Sequence, residues 1–500
     1  MLSKRQLYIL VYFAALIGVA AYQPFNIWPG ALVFIAILLF TIKDKSPKQA
    51  FIIGYAFGVI FYITLLYWIA WATFFGALPV PFILALVPAF FCWLFRKIEL
   101  ANSKIALILA PFIWVALEYI RTLGQVAFPW NPIGNCFATY PEFIQYAEFT
   151  GVYGISLWAS VINILFYIFF KNPANLKRTF AYLGAIIFLI VTPYLYGLAV
   201  IPEEIKEGDI EVALLQGDIS REVKWKPGGV QYSFNTYKAM TDSVSGSEAK
   251  LIIWPETAIP SYLRHHRGYN RRMLSMAGNS GTPILTGSPD YTEIAPRQYV
   301  YYNSALFYHP DKSSPEIYRK IKLVPFSERI PFSGRVKILK DIHLGQADFS
   351  PGDSLMLFEL DGNSFGVLIC FELVFPDLVR RYMKRGADFM VTITNDMWFG
   401  VTSGPYQHLY AGTIRAVENR VGIARCANTG ISLFYDTYGR VYNMTELNER
   451  KIVVDKVAIN KGSTFYMRHG DFLAKWSLIV AILSLFAILL RDFINRRNKI

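Results

Sequence analysis

Three short stretches hold the reactive side chains of this sequence. They are Ile252-Ile253-Trp254-Pro255-Glu256-Thr257, then Arg319-Lys320-Ile321-Lys322-Leu323-Val324-Pro325-Phe326-Ser327-Glu328, then Leu368-Ile369-Cys370-Phe371-Glu372-Leu373-Val374-Phe375-Pro376. Each contains an apolar run that reads as a buried strand, so the reactive groups are expected at strand ends. A cysteine nucleophile needs a base to take its proton, and a carboxylate in a dry site has its pKa raised toward that task. The oxyanion formed on attack needs a positive neighbour, which a lysine supplies. Glu256, a lysine at 320 or 322, and Cys370 would make such a set if the three strand ends meet. Strand alternation puts Lys320 and Lys322 on one face, so the residues alone leave both open. Pro376 and Asp377 sit where a helix begins, and helix N-terminal N–H groups would lower a neighbouring thiol pKa. For a lone cysteine the plain alternative is a buried structural thiol.

The elements that must position these groups lie in residues 206–470. Strands are expected at 210–215, 250–254, 282–287, 301–308, 317–324, 354–359, 364–370, 388–394, 421–427, 431–436 and 451–457. Helices are expected at 228–246, 261–278, 376–385 and 405–419. This alternation predicts an α/β sandwich with helices covering the sheets. About 265 residues is ample for one well-buried domain.

The remainder is of a different kind. Hydrophobic residues make up 54% of the chain and charged residues only 17%, which is too apolar for an ordinary soluble protein. Eight apolar segments approach the length needed to span a bilayer, with cores at 6–22, 29–42, 51–75, 79–95, 105–121, 152–170, 180–200 and 473–490. The first follows Lys4 and Arg5 as a signal peptide would, but no small-residue cleavage site comes after it, so it reads as a retained helix. The expected organisation is a seven-helix membrane domain at 1–205, an inserted α/β domain at 206–470, and an eighth helix with a basic tail at 471–500.

The formal net charge is +13. Nucleic-acid binding is excluded by where the charge sits. Lys4, Arg5, Lys43, Lys45, Lys48, Arg96, Lys97, Lys104, Lys171, Lys177, Arg178 and the C-terminal arginines share one side of the predicted topology, whereas the short loops opposite hold only Arg121. By the positive-inside rule the basic side is cytoplasmic, with both termini there and the α/β domain outside. Glu118 is costly to expose to lipid and is expected to face the bundle or the outer interface. In the loop at 122–151, Trp130 and Tyr153 read as an interfacial aromatic belt, or as a surface that guides lipid to the outer domain.

Cys92, Cys136, Cys370 and Cys426 form neither a metal motif nor a disulfide framework. His265 and His266 read as surface residues. No metal or cofactor is expected.

In this order, the Glu256, Lys320 and Cys370 motifs resemble those of the carbon–nitrogen hydrolase (nitrilase) superfamily over about 208–460. The resemblance implies a nitrilase-like αββα sandwich with a Glu–Lys–Cys triad at these positions. Lys320 is preferred because it precedes Leu-Val-Pro-Phe by three residues. Spans on both sides of such a domain, with Thr394-Asn395-Asp396-Met397-Trp398-Phe399-Gly400, Gln407-His408 and Arg415-Ala416-Val417-Glu418-Asn419-Arg420, resemble the membrane acyltransferase branch of that superfamily. That branch implies a phospholipid acyl donor, a diacylglyceryl apolipoprotein acceptor, a thioester intermediate and a monomer in the bacterial inner membrane. Glu328, Glu372, Phe371, Asn395 and Trp398 are the implied surroundings of the site. The bland alternatives are a strand-end salt bridge for the two glutamates and a core aromatic for Trp398. Ser327 stands where the superfamily usually has Gly, and Phe371 where Tyr is common. Residues 333–353 read as a mobile arm over the site or as a plain surface loop. A membrane-tethered amidase and a non-catalytic lipid-binding scaffold are the competing functions.

Overall fold

The computed structural model describes residues 3–72, 78–171, 176–205, 208–333, 348–460 and 462–497. Two units result: Met1–Ala70 with Phe74–Val200 and His469–Ile500, and Trp71–Thr73 with Ile201–Arg468.

The first unit is helical. Among the described residues six helices are long and apolar enough to cross a membrane: Pro47–Leu65, Pro79–Ala101, Ser103–Ile120, Ala147–Lys171, Lys177–Val200 and Phe472–Arg497. The first two expected spans are shorter. One is a 17-residue helix, Lys4–Ala20. The other is a 3-10 turn, Trp28–Leu32, followed by the nine-residue helix Phe34–Ile42. The third stops at Leu65 rather than running to 75, and a single turn, Ile69–Ala72, follows. Several basic helix ends gather at one end of this unit. Glu99 pairs with Arg96 at 2.7 Å and Lys171 at 3.1 Å, Lys97 pairs with Asp492, and Arg96 Nε donates to the Lys45 carbonyl.

Glu118 is buried and accepts hydrogen bonds from Trp114 Nε1 at 3.0 Å and the Ile133 amide at 2.8 Å. It faces the bundle and ties down the loop that follows its helix. Neither ring is displayed: Trp130 in that loop is buried against Trp68 at 4.9 Å, and Tyr153 is buried in the next helix, Ala147–Lys171. The exposed aromatic belt expected from these two residues is therefore not what they form; packing within the helical unit takes their rings first. Gly151 (φ 65°) breaks the helix Ala147–Lys171 just after it begins, a backbone conformation that glycine adopts without strain.

The second unit is a sandwich of two six-stranded sheets. The strands are β1 (Ile210–Gln216), β2 (Leu251–Ile253), β3 (Ile284–Ala295), β4 (Gln298–Tyr308), β5 (Glu316–Arg319), β6 (Leu357–Leu360), β7 (Asn363–Ile369), β8 (Phe389–Thr394), β9 (Ile423–Ala427), β10 (Leu433–Tyr435), β11 (Val441–Tyr442) and β12 (Lys451–Val457). The sheet orders are β12-β1-β2-β3-β4-β5 and β11-β10-β9-β8-β7-β6. In each sheet three central strands run parallel, β1-β2-β3 and β7-β8-β9, with antiparallel neighbours outside. Such buried parallel strands read as continuous apolar runs, which is why Leu251–Ile253 and Phe365–Ile369 were legible.

Helices Gly229–Val244 and Arg267–Ser280 cover the first sheet through a core of Phe234, Tyr237, Met240, Met273 and Trp254. Between the sheets, Phe307 meets Phe358 at 5.2 Å and Phe365 at 5.5 Å. Helices Pro376–Lys384 and Gly404–Asn419 cover the second sheet, with Tyr435 Oη donating to the Leu409 carbonyl at 2.6 Å. The expected helix at 261–278 starts late, at Arg267. The residues before it are held by side-chain bonds instead: Arg264 and His265 both reach the buried Asp290, and the His265 ring stacks on Tyr291 at 3.6 Å. His265 is therefore half-buried and engaged rather than a plain surface residue.

Candidate active site

Glu256 follows β2 by three residues, in a turn where Thr257 has φ 47°. The neighbouring β3 must come very close to this turn. A Cβ on Gly287 would lie 2.5 Å from the Glu256 Cα, so only glycine fits there. Glu256 Oε1 accepts from Asn303 Nδ2 at 2.7 Å, and Oε2 accepts from the Asn395 amide at 3.0 Å. Burial raises the Glu256 pKa, against the pull of Lys320 and with a further push from Glu328.

Lys320 lies one residue past β5, with its amide still bonded to the Asn303 carbonyl at 2.8 Å. Its Nζ is buried, 2.9 Å from Glu328 Oε1 and 3.8 Å from Glu256 Oε1. Burial works against the ammonium, but Glu328, Glu256 and Cys370 outweigh it and keep the lysine charged. Lys322 is elsewhere, its Nζ over the Phe375 ring at 5.1 Å. The alternation that left both lysines open does not apply, because the strand ends at Arg319 and not at 324.

Cys370 is the first residue after β7, with φ 51°, and opens a five-residue 3-10 turn. Burial and Glu256 push its thiol pKa well up, while Lys320 and a hydrogen bond with Thr394 pull it down. This corrects the expected lowering by helix N–H groups: the turn is too short to offset the desolvation. The thiol thus needs a base to be reactive at neutral pH.

The remaining sequence-selected residues fall around these three. Glu328 Oε1 also accepts from Asn303 Nδ2 at 2.8 Å, and its Oε2 takes the Val324 amide at 2.8 Å. Glu372 is fully buried and is no salt bridge. Its carboxylate accepts from the amides of Ile321 (2.7 Å), Lys322 (3.0 Å) and Ile369 (2.9 Å) and from Tyr318 Oη (2.8 Å). It thereby ties the lysine segment of one sheet to the cysteine segment of the other. Phe371 is buried edge-on against Phe375 at 5.2 Å. Asn395 accepts from Asn428 Nδ2 at 3.1 Å. Trp398 is half-buried beneath the Arg221 guanidinium (5.0 Å) and lines a cavity of about 440 Å³ with Asp218, Ser220 and Gly400. It is not a core aromatic. Ser327 has ordinary backbone angles, because Phe326 (φ 64°) takes the left-handed position in that turn, so glycine is not required at 327. Most of the expected arm at 333–353 lies outside the described residues.

Sequence reasoning missed three participants. Asn303 bridges Glu256 and Glu328 with its two amide hydrogens; an Asn buried inside the aromatic strand β4 was the available signal. Lys224 is buried and donates to the Thr257 carbonyl at 2.9 Å, and burial lowers its pKa to about 7. Arg425 is fully buried, with Nη2 2.6 Å from Asp396 Oδ2, and the two join His408 behind Cys370. An arginine in an apolar strand such as Ile423-Ala424-Arg425-Cys426 signals a buried partner, which the sequence did not name.

The chain is similar to known proteins along most of its length. The family described as Apolipoprotein N-acyltransferase N-terminal domain matches residues 14–165, and Carbon-nitrogen hydrolase matches residues 211–463. An apolipoprotein N-acyltransferase of Geobacter metallireducens is 32% identical over 493 residues, which is 95% of this chain and 94% of that one. One from Chlorobaculum tepidum is 32% identical over 459 residues, 86% of each. Among solved structures, an amidase from Nesterenkonia sp. aligns at 19% identity and a TM-score of 0.40, covering 55% of this chain and 99% of that one.

Proposed function

Since the chain belongs to the apolipoprotein N-acyltransferase family and carries its carbon–nitrogen hydrolase domain, we propose that Cys370, Glu256 and Lys320 transfer an acyl chain from a phospholipid to a lipoprotein amine. The protein is a membrane acyltransferase of that superfamily. The observation that carries the assignment of roles is the buried ammonium of Lys320 held 3.8 Å from the Glu256 carboxylate.

In the first half-reaction Glu256 takes the thiol proton and the sulfur attacks the phospholipid ester carbonyl. Lys320 faces the developing oxyanion. The C–O bond breaks, the proton passes from Glu256 to the leaving lysophospholipid hydroxyl, and an acyl thioester remains on Cys370. In the second, the α-amine of a diacylglyceryl-cysteine attacks the thioester. An amide C–N bond forms, the C–S bond breaks, and Glu256 carries the amine proton back to the thiolate. Glu328 and Asn303 hold Lys320 and Glu256 in register, and Glu372 holds the two backbones.

Both substrates are anchored in the bilayer, which accounts for a hydrolase-like domain carried between membrane helices. The proposed organisation is seven spans at 1–205, the catalytic domain at 206–470 on the periplasmic side of the inner membrane, and an eighth span with a cytoplasmic tail at 471–500. The protein acts as a monomer. The amidase alternative has less support, because the relatives that match the membrane segments as well are acyltransferases.

The test is to incubate the purified protein with phospholipid and search the Cys370 peptide for an acyl adduct by mass spectrometry. The adduct is expected on the wild type, to be discharged by a diacylglyceryl lipopeptide. Lipopeptide acylation that survives Cys370→Ser would sink the nucleophile assignment. Ammonia release from small amides with no acylated lipopeptide would favour the amidase.

A further inference from the structure

Cys370 holds its left-handed backbone (φ 51°) without being glycine. A side chain in that region is strained, so its surroundings must hold the geometry in place. The clamp is visible. His408, fully buried on the helix Gly404–Asn419, places Nε2 3.0 Å from the Cys370 carbonyl oxygen. Its Nδ1 lies 3.0 Å from Asp396 Oδ1 and 3.2 Å from Arg425 Nη2.

The proton positions follow from the partners. A carbonyl only accepts, so Nε2 carries hydrogen. Nδ1 sits between the Asp396 carboxylate and the Arg425 guanidinium, which hold the ring from its other side. Asp396 stays ionised against its burial, with Arg425 Nη2 donating to Oδ2 at 2.6 Å and Thr394 Oγ1 donating to Oδ1 at 2.8 Å. The ligand-type atoms of Cys370, Asp396 and His408 lie within 4.8 Å of one another. The cation beside them is the protein's own: Arg425 Nη2 donates to Asp396 Oδ2 and lies 3.2 Å from His408 Nδ1.

We infer that His408 is a positioning residue for acyl transfer: from Nε2 it grips the Cys370 carbonyl, and so fixes where the sulfur points. The inference rests on Cys370 being the nucleophile. Nothing in it requires His408 to touch substrate. Its effect belongs to the attack step and not to lipid binding.

The experiment uses the full chain in phospholipid-containing detergent, with His408→Ala and His408→Gln beside Cys370→Ala. Glutamine keeps an Nε2–H donor on a flexible chain. In His408→Ala the single-turnover rate of Cys370 acylation should fall by about tenfold or more while the KM for phospholipid changes less than about twofold. His408→Gln should regain most of that rate. Wild-type acylation by His408→Ala, a loss confined to KM, or a glutamine variant as slow as the alanine one would overturn the inference. If the alanine variant does not fold, the glutamine variant decides, a loss of about tenfold counting against it. Persistent acyl transfer by Cys370→Ala would instead overturn the reading beneath it.

Discussion

Replacing Lys320 by methionine separates what the buried ammonium does for catalysis from what it does for folding. The side chain is 1% exposed, with Glu328 Oε1 at 2.9 Å and Glu256 Oε1 at 3.8 Å. At an effective dielectric near 20, attractions over such distances are about 4–6 kcal/mol each. Desolvation of the ammonium offsets several kcal/mol of that sum. Removing the cation leaves two carboxylates buried beside each other, and loss of one partner of a buried pair costs about 3–5 kcal/mol. That is a large share of an ordinary stability of about 5–15 kcal/mol. The mutant has one route of relief, which is to protonate Glu256, already raised by burial. A carboxyl whose folded pKa exceeds its unfolded one binds extra protons on folding, so stability falls as pH rises through that window. Lys320→Met should therefore melt well below wild type at about pH 8 and recover part of the gap near pH 5.5, whereas Lys320→Met/Glu328→Gln should already recover at pH 8. Acyl transfer should be lost in both. Thermal unfolding in detergent measures the first effect and lipopeptide acylation the second. A Lys320→Met protein within about 1 kcal/mol of wild type at pH 8, or a double mutant whose losses simply add, would refute the electrostatic account.

Three further outcomes follow from the site. Glu372→Gln turns one acceptor into a donor facing the amides of Ile321, Lys322 and Ile369; it should lose about 2–4 kcal/mol and much of its acyl transfer, and an unchanged melting temperature would contradict the bridging role. Lys224, with its folded pKa near 7, takes up a proton on unfolding between about pH 7 and 10, so its burial is most costly at the acid end of that range. The melting temperature of Lys224→Met, measured relative to wild type, should thus rise as pH is lowered from about 10 to 7, and a difference that does not vary with pH would remove this reading. Alkylation of Cys370 by iodoacetamide should be slow at neutral pH and climb into the alkaline range, because burial and Glu256 hold the thiol protonated. Glu256→Gln should alkylate faster at a given alkaline pH yet fail to transfer acyl chains; a flat alkylation profile between about pH 6 and 8 would contradict the raised thiol.

The strands were legible where burial makes them continuous apolar runs, as in Leu251–Ile253 and Phe365–Ile369, and the helices where turn residues bound them. Legibility failed where long-range partners replace local pattern. β5 ends at Arg319, and soon after it the amides of Ile321 and Lys322 turn to Glu372, a residue about fifty positions away. No periodicity encodes that, and it decided between Lys320 and Lys322. The helix expected from 261 was delayed by Asp290, on another strand, capturing Arg264 and His265. Glu256, Lys320 and Cys370 stood out because they interrupt apolar strand ends with chemistry. Asn303 and Arg425 sit inside strands, where a polar residue announces a partner without naming it. The shortness of the first two apolar helices was hidden because composition marks a segment as apolar and does not fix where its helix stops.

β1 and β12 lie side by side in antiparallel register from Ile210–Val457 to Gln216–Lys451, and the Asp209 amide donates to the Val457 carbonyl. The chain therefore comes into the sandwich and leaves it at the same spot. A fold with adjoining ends behaves as a cassette: it can be set into a loop of a host protein without forcing the flanking segments apart. For a hydrolase-type fold this gives a simple route from free to membrane-borne life, by a single splice into a loop. It also predicts that joining 209 to 458 by a short linker and opening new ends at an exposed turn would leave the sandwich able to form.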